Sequence, residues 1–274
     1  MKEKAVIKLA KEYLLSFHEV SEDMLERQLN EWKERRPSSI EELFQAFLLH
    51  SQNRQGMPNS IGEIQKLSSL LFDFNPVLTA EKYKTWENLF DAIVNSEYSP
   101  PGRMKKENNK NYWVIYCKSI ISISKFLSSY KTIDEFNKFV EGFYTNEYSR
   151  LALPLLLEKE LFGFGFALAC DFLKESGYPE FVKPDTHIKD IAKGIGITTA
   201  SSDYRIFKDV VSFCQRAGAL PYEVDKLFWL VGSGKFYLFD IKVNSSKWDF
   251  IELIKQNGLT NKGLVPSRGT RARD

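Results

Sequence analysis

Two groups of residues in this 274-residue chain have the types and spacing to do chemistry. The first is Leu161-Phe162-Gly163-Phe164-Gly165-Phe166-Ala167, with two glycines one residue apart between segments that read as helices. Glycine tolerates unusual backbone angles and carries no Cβ. A tight turn built on it lets an anion approach the unpaired N–H groups at the start of the next helix. Such contact grips a phosphate without reading sequence. The second is Lys183-Pro184-Asp185-Thr186-His187-Ile188, with a lone carboxylate at a helix start. A carboxylate there can stabilise positive charge that develops on a sugar as its base departs, and can orient an attacking water. Each group also has a purely structural reading. Asp185 and Thr186 are good N-caps, and Phe-Gly-Phe-Gly-Phe could simply pack as an apolar helix connection.

In this order and spacing, the two groups resemble the helix-hairpin-helix, Gly-Pro-Asp superfamily of DNA glycosylases, whose members include endonuclease III and the oxoguanine and alkyladenine glycosylases. The usual pattern there is Leu-Pro-Gly-Val-Gly, a functional position two residues on, then Val-Asp-Thr-His-Val. Gly163 and Gly165 match the glycines, and Asp185-Thr186-His187-Ile188 matches the second motif. Ala167 falls on the functional position, 18 residues before Asp185, as in the endonuclease III branch. Phe162, Phe164 and Phe166 depart from the usual Pro, Val and commonly polar residue.

The resemblance implies that Asp185 is the catalytic carboxylate. It also implies DNA contacts at Gly163, Phe164, Gly165, Phe166, Lys183, Thr186 and His187, and a monovalent cation on the hairpin carbonyls, with no other metal. His187 reads more readily as a hydrogen-bonding residue at a helix start than as an acid or base. Bifunctional members carry a lysine at the position of Ala167, whose amine forms a Schiff base with the sugar. Alanine has no amine, so the resemblance implies a monofunctional glycosylase that leaves an abasic site. Upstream, Leu43–Gln52 is similar to the family's apolar helix ending in Leu-Ser-Ala-Gln. That puts Gln52 in the duplex near the extruded nucleotide, with Asn53 and Arg54 toward phosphate or the opposite base. Without the resemblance, it reads as an amphipathic helix with a polar end.

Composition narrows the class less than the motifs do. A 43% hydrophobic content suffices for a packed core, and the net charge of +2 says little about partners. Its distribution says more. Arg103, Lys105, Lys106, Lys110, Lys118, Lys125 and Lys131 face one acid, Glu107, over that stretch, and Lys262, Arg268, Arg271 and Arg273 crowd the C-terminal tail. Both patches suit phosphate contact, and both equally suit a solvated loop and a flexible tail. No apolar run reaches the ~20 residues of a bilayer span, and no signal-peptide pattern opens the chain. A cytoplasmic protein with no membrane partner is expected, bound to the nucleoid if bacterial. Cys117, Cys170 and Cys214 are far apart and odd in number, which implies no disulfide framework. Several relatives carry a four-cysteine iron–sulfur cluster, and three scattered thiols cannot ligate one that way. No cofactor is expected.

The elements that must position these residues are mostly helices. Apolar periodicity predicts them near 2–17, 21–36, 40–52, 60–72, 80–96, 111–129, 132–143, 186–194, 203–217, 221–231 and 247–256. Ser39 and Glu42 make a capping-box signal. A hairpin unit spans about 147–176 with Gly177 closing it, and the hairpin with its Asp segment covers 147–190. Lys235–Val243 reads as a short strand. The fold class is mainly all-α. By the resemblance it is one glycosylase-like unit over 1–274, made of two interleaved helical lobes with a DNA-binding cleft between them, the N-terminal segment returning to the C-terminal lobe and 257–274 forming a basic tail. The expected activity is base excision from duplex DNA by a monomer. Three alternatives stay open: a non-catalytic DNA-binding or structure-sensing protein on the same scaffold, a glycosylase acting on modified phage DNA, and a helical interaction module. The excised base is undetermined, and the pocket aromatics cannot be chosen among Tyr98, Tyr112, Trp113, Tyr148, Trp229 and Tyr237.

Overall fold

The structure, a computed structural model, describes residues 2–31, 33, 35–53 and 56–260. Arg54 and residues 261–274, which hold most of the expected basic tail, lie outside the described residues. Two helices come first, α1 (Lys2–Leu15) and α2 (Glu22–Asn30). Next come α3 (Ile40–Ser51), α4 (Pro58–Ile61), α5 (Pro76–Lys82), α6 (Trp86–Val94), α7 (Tyr112–Leu127), α8 (Ile133–Glu141), α9 (Glu147–Glu160) and α10 (Phe166–Glu175). The last four are α11 (Thr186–Gly194), α12 (Asp203–Ala217), α13 (Pro221–Ser233) and α14 (Lys247–Gln256). The chain is all-α in class.

Local chemistry explains most boundaries. Side chains of Ser39, Asn75, Thr85, Asn111, Thr132, Asn146, Asp185 and Ser246 accept a first-turn N–H and start their helices. Gly218 and Gly234, both left-handed, stop α12 and α13. Three predicted elements come out differently. The expected helix at 60–72 is the short α4, a single 3-10 turn at Ile64–Leu67, and a turn in which Phe72, Asp73 and Phe74 all have positive φ. There the Ser68 hydroxyl donates to Asp73 Oδ1 (2.7 Å), a local bond that competes with helical continuation. The 80–96 helix is divided because Thr85 caps a new start. The strand at Lys235–Val243 is two strands of two residues, β1 (Lys235–Phe236) and β2 (Ile241–Lys242), paired antiparallel around a tight turn.

The chain forms two compact units, Arg35–Ser176 and a second made of Met1–Glu34 with the chain from Gly177 onward. In the first, α7 is apolar on nearly every side and is flanked by α3, α5 and α6. Helix α10 packs on α9 and α3. Phe47 of α3 stacks on Phe172 of α10 with ring centroids 3.7 Å apart, and Phe164 lies 5.5 Å from Phe47. In the second unit α13 is the central element, with α1, α2, α11, α12 and α14 against it. Phe228 meets Phe213 at 6.3 Å and Phe250 at 6.2 Å. The Tyr13 hydroxyl accepts from Ser246 N (2.9 Å) and donates to Ser246 O (3.2 Å), tying α1 to the start of α14. No described helix is long and apolar enough to cross a membrane.

Candidate nucleic-acid interface and active site

The glycine hairpin is built as a turn between α9 and α10. Gly163 has φ +72°, and a Cβ there would sit 2.8 Å from Ser119 Oγ on α7, so both backbone angle and space require glycine. Gly165 is extended and exposed, and a Cβ added to it meets nothing within 4 Å. It is the N-cap of α10 without a capping side chain. The backbone N–H groups of Gly163, Gly165 and Ala167 find no acceptor among the described residues. They are the orphan donors that a helix start offers to an anion. Helix α7 braces this turn from behind. Ser122 Oγ accepts from Phe162 N (2.9 Å) and donates to Glu160 O (3.3 Å).

The phenylalanines of the hairpin divide by side. Phe164 and Phe166 are only 1% and 6% exposed, and Phe164 joins the Phe47–Phe172 cluster. Both side chains are core, and Phe164 N donates to Leu161 O (3.3 Å). Phe162, absent from the predicted contacts, is 48% exposed. The Lys118 ammonium lies 5.8 Å from its ring centroid and 4.9 Å from that of Trp86. Lys118 belongs to the basic stretch and is the member placed beside the hairpin. Several members are engaged within the chain: Lys118 donates to Asn109 Oδ1 (3.1 Å), Lys106 pairs with Asp91 (2.5 Å), and Lys125 donates to Lys84 O (3.2 Å).

The end of α3 comes to the same unit. Gln52 is the C-cap of α3, half-buried, and its Oε1 has no donor among the described residues. Asn53 is exposed and its Nδ2 donates to Asp171 Oδ2 (3.3 Å), a buried carboxylate on α10 that also pairs with Lys174 (3.2 Å). His50 Nε2 lies 3.4 Å from Glu175 Oε2. The structure thus joins Asn53 to the helix that the hairpin begins.

Asp185 lies in the other unit, with Lys183, Thr186 and His187. It is the N-cap of α11: Oδ1 accepts from Ile188 N (3.0 Å), and Oδ2 has no partner among the described residues. The carboxylate thus meets the positive end of the α11 dipole with one oxygen engaged and one open. The segment is anchored by Asp225 of α13, whose Oδ2 accepts from Lys183 N (2.7 Å). Thr186 is exposed. His187 Nδ1 is buried without a partner among the described residues, and the ring packs on Gly232. The three cysteines are buried and outside any disulfide, and burial raises the thiol pKa of Cys117 and Cys214. The sequence missed Ser119, Ser122 and Asp225, although serines at helical spacing on α7 were a readable sign.

The chain is all-helical, with a glycine hairpin leading into α10 and an aspartate capping α11, and solved structures share this fold. Two solved structures are similar. The 8-oxoguanine glycosylase/lyase of Methanocaldococcus jannaschii, in complex with a 15mer DNA containing 8-oxoguanine, shares 18% identity at a TM-score of 0.50, over 85% of this chain and 99% of that one. The 8-oxoguanine DNA glycosylase of Thermotoga maritima shares 17% identity at a TM-score of 0.47, over 84% and 99%. No family model and no curated protein matches.

The two glycines should respond differently to a methyl group. Gly163→Ala should lower stability by about 1–2 kcal/mol, because an L-residue there adopts the left-handed region. Gly165→Ala should cost less than about 1 kcal/mol, since it alters only a cap. Urea unfolding of both variants checks this, and equal losses would refute the geometry.

Proposed function

We propose that this protein is a monofunctional DNA glycosylase, hydrolysing the N-glycosidic bond of an altered base in duplex DNA. The observation that carries the reading is Asp185, fixed by its cap bond to α11 with Oδ2 left open, in a chain with the glycosylase fold. The hairpin N–H groups of Gly163, Gly165 and Ala167 suit a backbone phosphate, and Lys118 adds positive charge next to that turn. With a nucleotide extruded, the bond from C1′ to the base nitrogen breaks and leaves with the base its electron pair. The sugar becomes oxocarbenium-like, and the Asp185 carboxylate stabilises that charge and orients a water. Water oxygen bonds to C1′, and its proton leaves to balance the departing base. This chemistry calls on no cofactor, and we place it in the cytoplasm, carried out by a monomer.

Ala167 separates this reading from a glycosylase with lyase activity. A lyase needs an uncharged amine within bonding reach of C1′. Position 167, at the first turn of α10, has only a methyl group.

The central test is Asp185→Asn. It should retain affinity for duplex DNA and lose base release by roughly 10²–10⁴-fold. Single-turnover release over a lesion panel that includes 8-oxoguanine measures it, and near-wild-type turnover would remove Asp185 from the chemistry. Phosphate contact predicts a steep salt dependence, with a log–log slope of about −0.9 per phosphate neutralised. A flat response in a titration from low to physiological salt would refute a DNA partner. The product strand should stay intact until alkali is added, and borohydride should trap no protein–DNA adduct. Efficient trapping would show that another lysine acts as nucleophile and overturn the monofunctional assignment.

A further inference from the structure

The fold sorts the cations of the basic stretch into two sets. Lys106 and Lys125 are bonded within the chain, to Asp91 and to Lys84 O. Arg103, Lys105 and Lys110 are exposed, and their side chains meet no carboxylate among the described residues. Lys118 is half-buried and also meets none: its ammonium donates to Asn109 Oδ1 (3.1 Å) and lies over Trp86 and Phe162. Backbone bonds hold the second set together. Asn111 Nδ2 donates to Arg103 O (2.9 Å), Asn108 N to Lys105 O (3.2 Å) and Asn111 N to Asn108 O (2.8 Å). Residues 103–111 thus close as a loop at the start of α7, and Lys118 ties that loop to the helix through Asn109.

This loop has fixed neighbours at both ends. On one side is the segment that follows Gln52 and Asn53. Ser60 O accepts from Gly102 N (2.9 Å) and from Trp113 Nε1 (3.1 Å), and Tyr98 Oη donates to Ile61 O (2.7 Å). Gly56 has φ +78°, and a Cβ there would come within 3.1 Å of the Tyr112 oxygen. The residues just before and just after the basic loop therefore pack on the segment from Gly56 to Ile61. On the other side, Lys118 reaches Phe162, the neighbour of Gly163, with 5.8 Å from ammonium to ring centroid. The cations thus lie between the hairpin and the segment after Gln52, all within the Arg35–Ser176 unit.

We propose that Arg103, Lys105, Lys110 and Lys118, with the Asn109 amide, form a second phosphate-binding site on this unit, which takes the duplex backbone beyond the phosphate gripped by the hairpin. Like charges gathered without a carboxylate repel one another, and an external anion removes that cost. An ammonium has three donors, and Lys118 uses one on Asn109. Its position over two rings leaves little side-chain freedom to lose when a phosphate arrives. Asn109 accepts through Oδ1, so its Nδ2 is a donor toward the same anion. No base edge is called on. The contact is independent of sequence and lengthens the footprint on DNA.

The proposal rests on the DNA partner of the reading above, and the measurements keep the two apart. Wild type, Arg103→Ala, Lys105→Ala, Lys110→Ala, Lys118→Ala, Lys118→Arg and Lys106→Ala are titrated with a duplex holding a tetrahydrofuran abasic analogue, from low to physiological salt. The alanine variants at 103, 105, 110 and 118 should each weaken binding by about 3- to 10-fold. Each should also make the log–log salt slope shallower by about 0.9, the loss of one phosphate contact. The losses should be equal on duplexes of unrelated sequence. Lys118→Arg should keep the wild-type slope. So should Lys106→Ala, which changes net charge by the same amount but removes a cation already paired with Asp91. Wild-type slopes in all four alanine variants overturn the site. An equal loss in Lys106→Ala overturns it too, since that marks the field of the whole protein and not a site. A urea midpoint that falls in step with affinity in Lys118→Ala marks that residue as packing alone and removes it. A wild type that binds DNA through these cations and releases no base overturns the glycosylase reading and leaves the site standing. A wild type that binds no duplex overturns both.

Discussion

The arrangement of the Asp185 unit depends on one hydrogen bond, from the Lys183 backbone N–H to the buried Asp225 carboxylate. Asp225 is only 2% exposed, and a carboxylate so far from water costs several kcal/mol unless donors satisfy it. The bond ties a loop to the central helix of its unit just before Pro184, a residue with no N–H to offer. From that point the chain has little freedom. Asp185 N donates to Lys183 O (2.7 Å), Asp185 caps α11, and His187 closes on Gly232 two turns along α13. The carboxylate is thus positioned by a structural carboxylate 40 residues later in sequence.

The hairpin solves a different problem by similar means. It carries phenylalanine at positions 162, 164 and 166. The structure turns Phe164 and Phe166 into the core and leaves the N–H groups of Gly163, Gly165 and Ala167 without an acceptor among the described residues. Burial of these side chains does not compete with the open N–H groups, because it uses the rings and not the backbone. Gly163 cannot be exchanged in this design, since Ser119 occupies the space its side chain would need. Ser122 then holds the incoming chain by bonding Phe162 N and Glu160 O at once.

Charge is used locally in both units. A net charge of +2 conceals a stretch of seven cations, and the fold assigns these unequal tasks. Lys106 neutralises Asp91, while Lys118 rests over Trp86 and Phe162 at the hairpin. Cation–π placement of this kind holds an ammonium near a surface without neutralising it. Lys226 is held in a similar aromatic setting in the other unit, over the rings of Tyr222 and Tyr237.

What the sequence by itself determined was local. Caps such as Ser39, Asn111 and Asp185, the left-handed stops at Gly218 and Gly234, and the missing amine at Ala167 depend on neighbours within a few residues, so their spacing carried the information. The all-α class followed from the same periodicity. It did not extend to residues 60–74, where Gly62 and the Ser68–Asp73 bond break a pattern that looked helical. Only the tertiary structure decided which phenylalanines face inward and which helix holds the Asp185 segment. It alone tied the Tyr237 turn to Gln28, through Leu238 N, 210 residues earlier. These choices rest on contacts between distant parts of the chain, where burial and donor–acceptor pairing select among partners that local sequence leaves equivalent.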